Sequence, residues 1–273
     1  MSVFICPVCK SSLKKYNNAY KCGQGHSFDI SAQGYVNLLP SDKSRVNSGD
    51  NAEMMAARSR FLNTGLYADL KDTVSAAIFE SADTNEKMLV VDAGCGEGYY
   101  TSGIADCLIG KGIDAEIAGI DISKRGIKSA AQRYKNVQFA VAGIFDMPFG
   151  TESASAVVSI FAPLCEGEFR RILKPGGSLI VAAPGKYHLF GLKKVLYDNP
   201  YFNDEENYCP DGFKQDDVLR VRKEITVCGG NIKDLFKMTP YFYNTPLAAA
   251  KRLDDVDKID TEIDFIVTTL KRK

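Results

Sequence analysis

From Lys87 onward the hydrophobic period of the chain changes. MLVVDAG (88–94) is an unbroken apolar run ending in glycine, the pattern of a strand covered on both faces. AEIAGIDI (115–122), VQFAVAG (137–143), ASAVVSIFA (154–162) and GSLIVAA (177–183) predict four more strands, with helical patterns between them. One helix should begin near Gly98 and another run through SKRGIKSAAQRY. Strands and helices alternating at this length predict an α/β fold, a doubly wound Rossmann-like parallel sheet. Ligands of such sheets sit beyond the carboxyl ends of the central strands. Upstream, AEMMAARSRFLNTG reads as an amphipathic helix capped by Asp50 or Asn51 and ended by Gly65. Residues 41–52 are polar and turn-rich, a linker. The organisation expected is a small module over 1–40, a linker and helical region over 41–85, and the α/β domain over 86–273. The stretch 198–228 is polar and irregular and suggests no role.

The first forty residues carry their own chemistry. Cys6-x2-Cys9 is followed, after twelve residues, by Cys22-x3-His26. Two such pairs on tight turns bring four soft ligands into the tetrahedron that zinc prefers. Pro7 stiffens the first turn, while Gly23 and Gly25 loosen the second. The stretches around Phe4–Ile5 and Ala19–Lys21 predict a small hairpin, a zinc-ribbon-like arrangement. So short a piece buries too little apolar area to fold alone, and a structural metal supplies the difference. All four positions are filled by protein, so no open site is left for a reactive water. No long recognition helix follows Cys22. FDISAQGYVNLLP looks extended, which argues against reading base pairs through a major groove.

Composition narrows the partners. Lys+Arg and Asp+Glu are both 34, so the chain as a whole has no field for a polyanion. Residues 1–60, however, hold eight basic side chains against four acidic ones, leaving the leading segment at about +4. That bias suits phosphate contacts and is equally compatible with a solvated surface. No apolar run approaches the roughly 18 residues of a membrane helix, so no membrane is expected. The N-terminus lacks the pattern of a signal peptide. The remaining cysteines (Cys95, Cys107, Cys165, Cys209 and Cys228) are scattered rather than paired. A reducing cytoplasm fits best.

The turn after the first strand reads Asp92-Ala93-Gly94-Cys95-Gly96-Glu97-Gly98. Glycines let the backbone turn sharply and admit a ligand where a Cβ would obstruct it. The G-x-G-x-G spacing lacks the two-residue gap of the dinucleotide fingerprint. Asp92 would face a pyrophosphate badly, but the ammonium group of a sulfonium ligand well. Asp121, ending the second strand, is placed to accept hydrogen bonds from ribose hydroxyls, as it would also be for NAD. Together with Lys174-Pro175-Gly176-Gly177, the pattern resembles the class I S-adenosylmethionine methyltransferases.

A narrower resemblance rests on CPVC…CGQGH, GYVNLLP, GDNAEMMAARSRFL, Tyr67, DAGCGEGYYT, FAP (161–163), KPGG and APGKYHL, spread over nearly the whole length. These motifs are similar to those of the bacterial 23S ribosomal RNA (guanine-N1)-methyltransferases. The resemblance implies zinc on Cys6, Cys9, Cys22 and His26. It implies S-adenosylmethionine contacts at Tyr67, Gly96, Glu97 and His188, beside Asp92, Gly94 and Asp121 from the turn chemistry. It implies 23S ribosomal RNA as substrate, a contribution to macrolide resistance in Gram-positive members, and members able to form homodimers. Gly143 departs from the superfamily, where an acid often contacts adenine. Phe161, Ala162 and Pro163 stand where superfamily members often hold the target base, and Phe161 could stack on an extruded base or pack in the core. No general base stands out. Two other functions share part of the pattern. A small-molecule, quinone-like methyltransferase shares the glycine turn and KPGG, and a zinc-dependent RNA-binding factor could keep the methyltransferase fold without catalysis.

Overall fold

A computed structural model describes residues 2–40, 51–82, 86–205 and 208–273. Residues 41–50, most of the expected linker, lie outside the described residues, as does Asp50, one of the two candidate caps. In the N-terminal module, β1 (Lys14–Tyr16), β2 (Ala19–Lys21) and β3 (Ser27–Asp29) form an antiparallel sheet in that order. Ala19–Lys21 therefore pairs with Lys14–Tyr16 and not with Phe4–Ile5. Asn17, at φ +50°, makes the tight turn between them, a conformation that asparagine tolerates. Ile5 instead bridges Ser12 across the first metal-ligand turn.

The strand β4 (Val36–Asn37) leaves the module and joins the large sheet. Two helices follow, α1 (Ala52–Leu62) and α2 (Ala68–Glu80). Asn51 caps α1, its side-chain oxygen accepting from the N–H groups of Glu53 and Met54, each at 2.9 Å. The α/β alternation then runs β5 (Met88–Ala93), α3 (Tyr99–Gly110), β6 (Ala115–Asp121), α4 (Lys124–Arg133), β7 (Gln138–Val141), β8 (Ala154–Ile160), α5 (Glu166–Ile172), β9 (Leu173–Pro184) and α6 (Phe190–Leu196). The chain closes with β10 (Phe213–Cys228), α7 (Gly230–Lys237) and β11 (Lys258–Arg272).

The eight strands lie in the order β10-β11-β9-β8-β5-β6-β7-β4. From β9 to β4 every pairing is parallel, as the apolar runs predict. The last two strands break that rule. β11 inserts antiparallel between β9 and β10, so the sheet is mixed. β10 occupies most of the stretch read as irregular. It is an edge strand whose exposed face carries charge, a composition that blocks edge-to-edge pairing and hides the strand from a hydrophobicity pattern.

The sheet has two covered faces. One packs against α2 and α3, through Leu70, Val74, Ile78, Ile104 and Leu108. On the other, Phe4, Cys6, Leu13 and Cys22 of the module share a core with Val91, Ile120, Phe149 and Phe169. No helix intervenes between β7 and β8, where the alternation predicts one. The module takes that place. The Phe4 ring lies 5.5 Å from that of Phe149, and Ile5 N–H donates to the Pro148 carbonyl at 2.9 Å. Among the described residues, no helix is long and apolar enough to cross a membrane.

Candidate metal centre and active site

In the module, Cys6, Cys9, Cys22 and His26 place one ligand atom each within 4.8 Å of one another. Cys9 Sγ and Cys22 Sγ are 3.7 Å apart, and His26 Nδ1 lies 3.3 Å from Cys22 Sγ and 3.6 Å from Cys6 Sγ. A tetrahedron with zinc–sulfur bonds of about 2.3 Å has edges of roughly 3.8 Å. The four donors therefore stand at zinc spacing. Hydrogen bonds from the Ser11 side chain and backbone hold the Cys9 thiol down at about 6, favouring the thiolate that binds metal. Cys6 and Cys22 are buried in the core shared with the large sheet, which is the position of a structural ion.

The second constellation gathers where β5, β6, β8 and β9 end. Sheet order reverses between β5 and β8, and the crevice outside the carboxyl ends of strands at such a reversal is where these sheets bind ligands. The glycines of the turn have different tasks. A Cβ on Gly94 would stand 2.6 Å from the Cβ of Ala162, so this glycine lets the turn touch the FAP segment. A Cβ on Gly98 would meet Ala130, Tyr134 and Phe139 at 3.1 to 3.2 Å. A Cβ on Gly96, by contrast, meets nothing within 4 Å, although its φ of +55° also favours glycine. Gly96 is thus the glycine of the turn whose Cα face lies open to a ligand.

The acids of the turn are held firmly. Asp92 is buried and accepts from the Thr101 hydroxyl at 2.6 Å. Burial, reinforced by the Asp121 charge, pushes its carboxyl up to about 7. Asp121 accepts from Gly96 N–H at 2.9 Å and from Ser123 N–H at 2.7 Å, which ties the second strand to the glycine turn. Glu97 is buried. One of its oxygens lies 3.5 Å from Arg133, and the other has no partner. The Tyr100 hydroxyl, also buried, has none either. Buried polar atoms are rarely left unpaired, so these two point to a polar ligand in the crevice. An open glycine backbone, two orphaned polar atoms and buried carboxylates suit a ligand that carries cationic and hydroxyl groups, as S-adenosylmethionine does.

Tyr67 and His188, 121 residues apart, meet here. The Tyr67 hydroxyl lies 3.3 Å from His188 Nε2, and both side chains are buried. Burial drives the imidazole down to about 3, so it is neutral at physiological pH. Phe265 of β11 packs edge-on to Tyr67 at 4.9 Å between ring centres and lies 4.5 Å from the His188 ring. It also lies 5.5 Å from Phe161. Phe161 is not in the core. It stands 48% exposed at φ +53°, a strained conformation for an aromatic residue, with Pro163 exposed and Ala162 half-buried beside it.

The seven residues expected to contact the cofactor fall into two groups, the turn with Asp121 and the Tyr67–His188 pair, linked through Phe161, Ala162 and Phe265. Three participants were not anticipated: Tyr100, Phe265 and Asp264. Tyr100 lies inside the turn motif, where a second aromatic in GYYT is its only signal. Phe265 and Asp264 lie on β11, whose place in the sheet depends on partners distant in sequence.

Comparison with known proteins bears on the two domains. A family model described as "RlmA, N-terminal" matches residues 4–46, and one described as "Methyltransferase domain" matches residues 84–237. The Bacillus subtilis (strain 168) protein YxjB, named as a 23S rRNA (guanine-N1-)-methyltransferase, is 32% identical, covering 96% of this chain and 95% of its own. The chain belongs to the 23S rRNA (guanine-N1-)-methyltransferase family. The 23S rRNA (guanine(748)-N(1))-methyltransferase of Streptomyces fradiae is 34% identical over 70% of this chain and 66% of its own. A family member from Micromonospora griseorubida is 34% identical over 68% of this chain and 67% of its own. Family membership accounts for the union of a zinc ribbon with a methyltransferase domain that uses S-adenosylmethionine.

Proposed function

We propose that this protein transfers the methyl group of S-adenosylmethionine to N1 of a guanine in a hairpin loop of 23S ribosomal RNA. The observation that carries the reading is the joining of two sites on one core: a four-ligand zinc cluster and a glycine turn whose Gly96 backbone is open. A small-molecule methyltransferase has no use for the first. In this reading the module of residues 1–40 grips the RNA with its basic side chains, and residues 86–273 carry the chemistry.

S-adenosylmethionine supplies an electrophilic methyl carbon on a sulfonium, so the reaction is an in-line displacement governed by alignment. The chain's own residues set that alignment. Gly94 would pack the turn against Ala162, Gly96 would admit the ligand, Asp92 would face its ammonium group, and Asp121 would hold the ribose hydroxyls. Glu97, Tyr67 and His188 complete the enclosure. The exposed Phe161 ring beyond β8 gives an extruded guanine a stacking surface, with Ala162 and Pro163 shaping the wall. Zinc on Cys6, Cys9, Cys22 and His26 holds the module's shape. RNA is the macromolecular partner.

The test is transfer of tritium from labelled cofactor. Purified zinc-loaded protein should label 23S RNA and leave a lipid extract unlabelled. Label in the lipid fraction alone would replace the RNA reading with the small-molecule one.

A further inference from the structure

Asp264 is fully buried on β11, directly behind His188. Its carboxylate accepts from Arg220 Nε at 2.8 Å and Nη2 at 2.7 Å, a two-pronged contact, and from Tyr187 N–H at 2.9 Å. Burial acts to raise its pKa, but the Arg220 and Tyr187 hydrogen bonds prevail and hold it below the usual carboxylate range. Arg220 reaches across from β10 and also contacts Glu205. The Asp264 main chain is as heavily used. Its carbonyl accepts from Gly185 N–H at 2.7 Å, and its N–H donates to His188 Nδ1 at 3.3 Å. A Cβ on Gly185 would come within 2.7 Å of the carboxylate, so the loop between β9 and α6 is moulded onto this one side chain.

The contact to His188 decides a proton position. A main-chain N–H can only donate, so Nδ1 must be the acceptor. A neutral imidazole accepting at Nδ1 carries its hydrogen on Nε2, and Nε2 faces the Tyr67 hydroxyl. Tyr67 therefore receives a hydrogen bond from His188, and its own hydroxyl proton is free to point toward the crevice. Without that constraint the ring could take the other tautomer, and Tyr67 would spend its proton on Nε2.

We propose that Asp264 is a positioning residue: its carboxylate, held by Arg220, fixes the loop from Gly185 to His188 so that Nδ1 stays on the Asp264 main-chain N–H, which sets the His188 tautomer and makes Tyr67 a hydrogen-bond donor to the cofactor. The tautomer itself follows from the main-chain contact to Nδ1. The donor role of Tyr67 rests on the reading that Tyr67 and His188 line the cofactor site. A carboxylate behind a histidine is a general device for orienting its ring; here the Asp264 main chain makes the contact that sets the tautomer, and the carboxylate holds the loop carrying His188 through Tyr187 N–H.

The chain has two histidines, so His188 is assigned in long-range proton–nitrogen NMR spectra by its loss in His188→Gln. Full-length, zinc-loaded wild-type protein should show His188 as the pure Nε2–H tautomer. Asp264→Asn and Arg220→Met should show mixed tautomers and bind S-adenosylhomocysteine about tenfold more weakly. Zinc content should be unchanged. If Asp264→Asn does not fold, Arg220→Met carries the test, because its side chain is 40% exposed and its stem is retained. An Nδ1–H tautomer in the wild type would overturn the inference, as would a pure Nε2–H tautomer with unchanged affinity in the variants. Failure of the cofactor reading looks different: His188→Gln would then bind S-adenosylhomocysteine as tightly as wild type, and the Tyr67 donor role would fall with it.

Discussion

Burial of Asp92 beside Asp121 keeps a proton on it up to about pH 7, and this sets a pH dependence. The folded pKa stands above the unfolded value of about 3.9. The native state therefore binds more protons than the unfolded state between those values, and the free protein loses stability as pH rises through that window. In the proposed complex a cationic ammonium group opposite Asp92 would favour the carboxylate. Affinity for S-adenosylhomocysteine should rise between pH 6 and 8, and Asp92→Asn should flatten that slope in calorimetry. A slope surviving in Asp92→Asn would assign the titration to another group. The two glycines of the turn give a paired prediction. Gly94→Ala drives a Cβ into Ala162 and should cost about 1–3 kcal/mol of stability from overpacking, on top of roughly 1–2 kcal/mol for its own left-handed backbone, read by denaturant unfolding. Gly96→Ala meets no atom and should cost only roughly 1–2 kcal/mol for its left-handed backbone. It should nonetheless bind the cofactor at least about tenfold more weakly, because the new methyl fills the open approach. Phe161→Ala should reduce RNA turnover more than cofactor affinity, since the ring is exposed and its backbone strained. Equal losses in both would point to simple destabilisation. At this scale the turn was legible, because its chemistry is local. Tyr67 and His188 carry no local signal and were named through family resemblance. Asp264 and Phe265 escaped, because each matters through a partner far away in sequence.

The strands of the α/β core announced themselves because burial on both faces demands unbroken apolar runs. β10 did not, because an edge strand exposing alternating charge looks like a loop to any hydrophobic pattern. β11, although apolar and β-branched, went unread without its partner. The absence of a helix between β7 and β8 was equally hidden, since the cover comes from residues more than a hundred positions earlier. That substitution has a consequence. Cys6 and Cys22 share a core with Val91, Ile120 and Phe149, and β4 pairs with β7 at Ala140 and Val141. Removal of zinc by a chelator, or Cys22→Ser, should therefore lower the melting temperature of the catalytic sheet as well as that of the module. Amide exchange at Ala140 and Val141 should quicken. Protection there that is unchanged after metal loss would show the module to be an independent appendage.

Across the whole molecule, opposite charges balance while the first sixty residues keep a basic excess of about four. The module carrying much of that excess is packed on the catalytic sheet, so an RNA held by one is held at a fixed place relative to the other. Architecture and chemistry were both readable as a class from the sequence. Their union into a single core became visible only in three dimensions. The central claim, methylation of a guanine at N1, is tested most directly by reverse transcription across 23S RNA, because a methyl on N1 blocks Watson–Crick pairing. RNA from a strain lacking this gene should lose one stop, at a guanine in a hairpin loop, that is present in the parent and restored by purified protein with S-adenosylmethionine. Identical stop profiles in the two strains, with none created by the protein, would contradict the account.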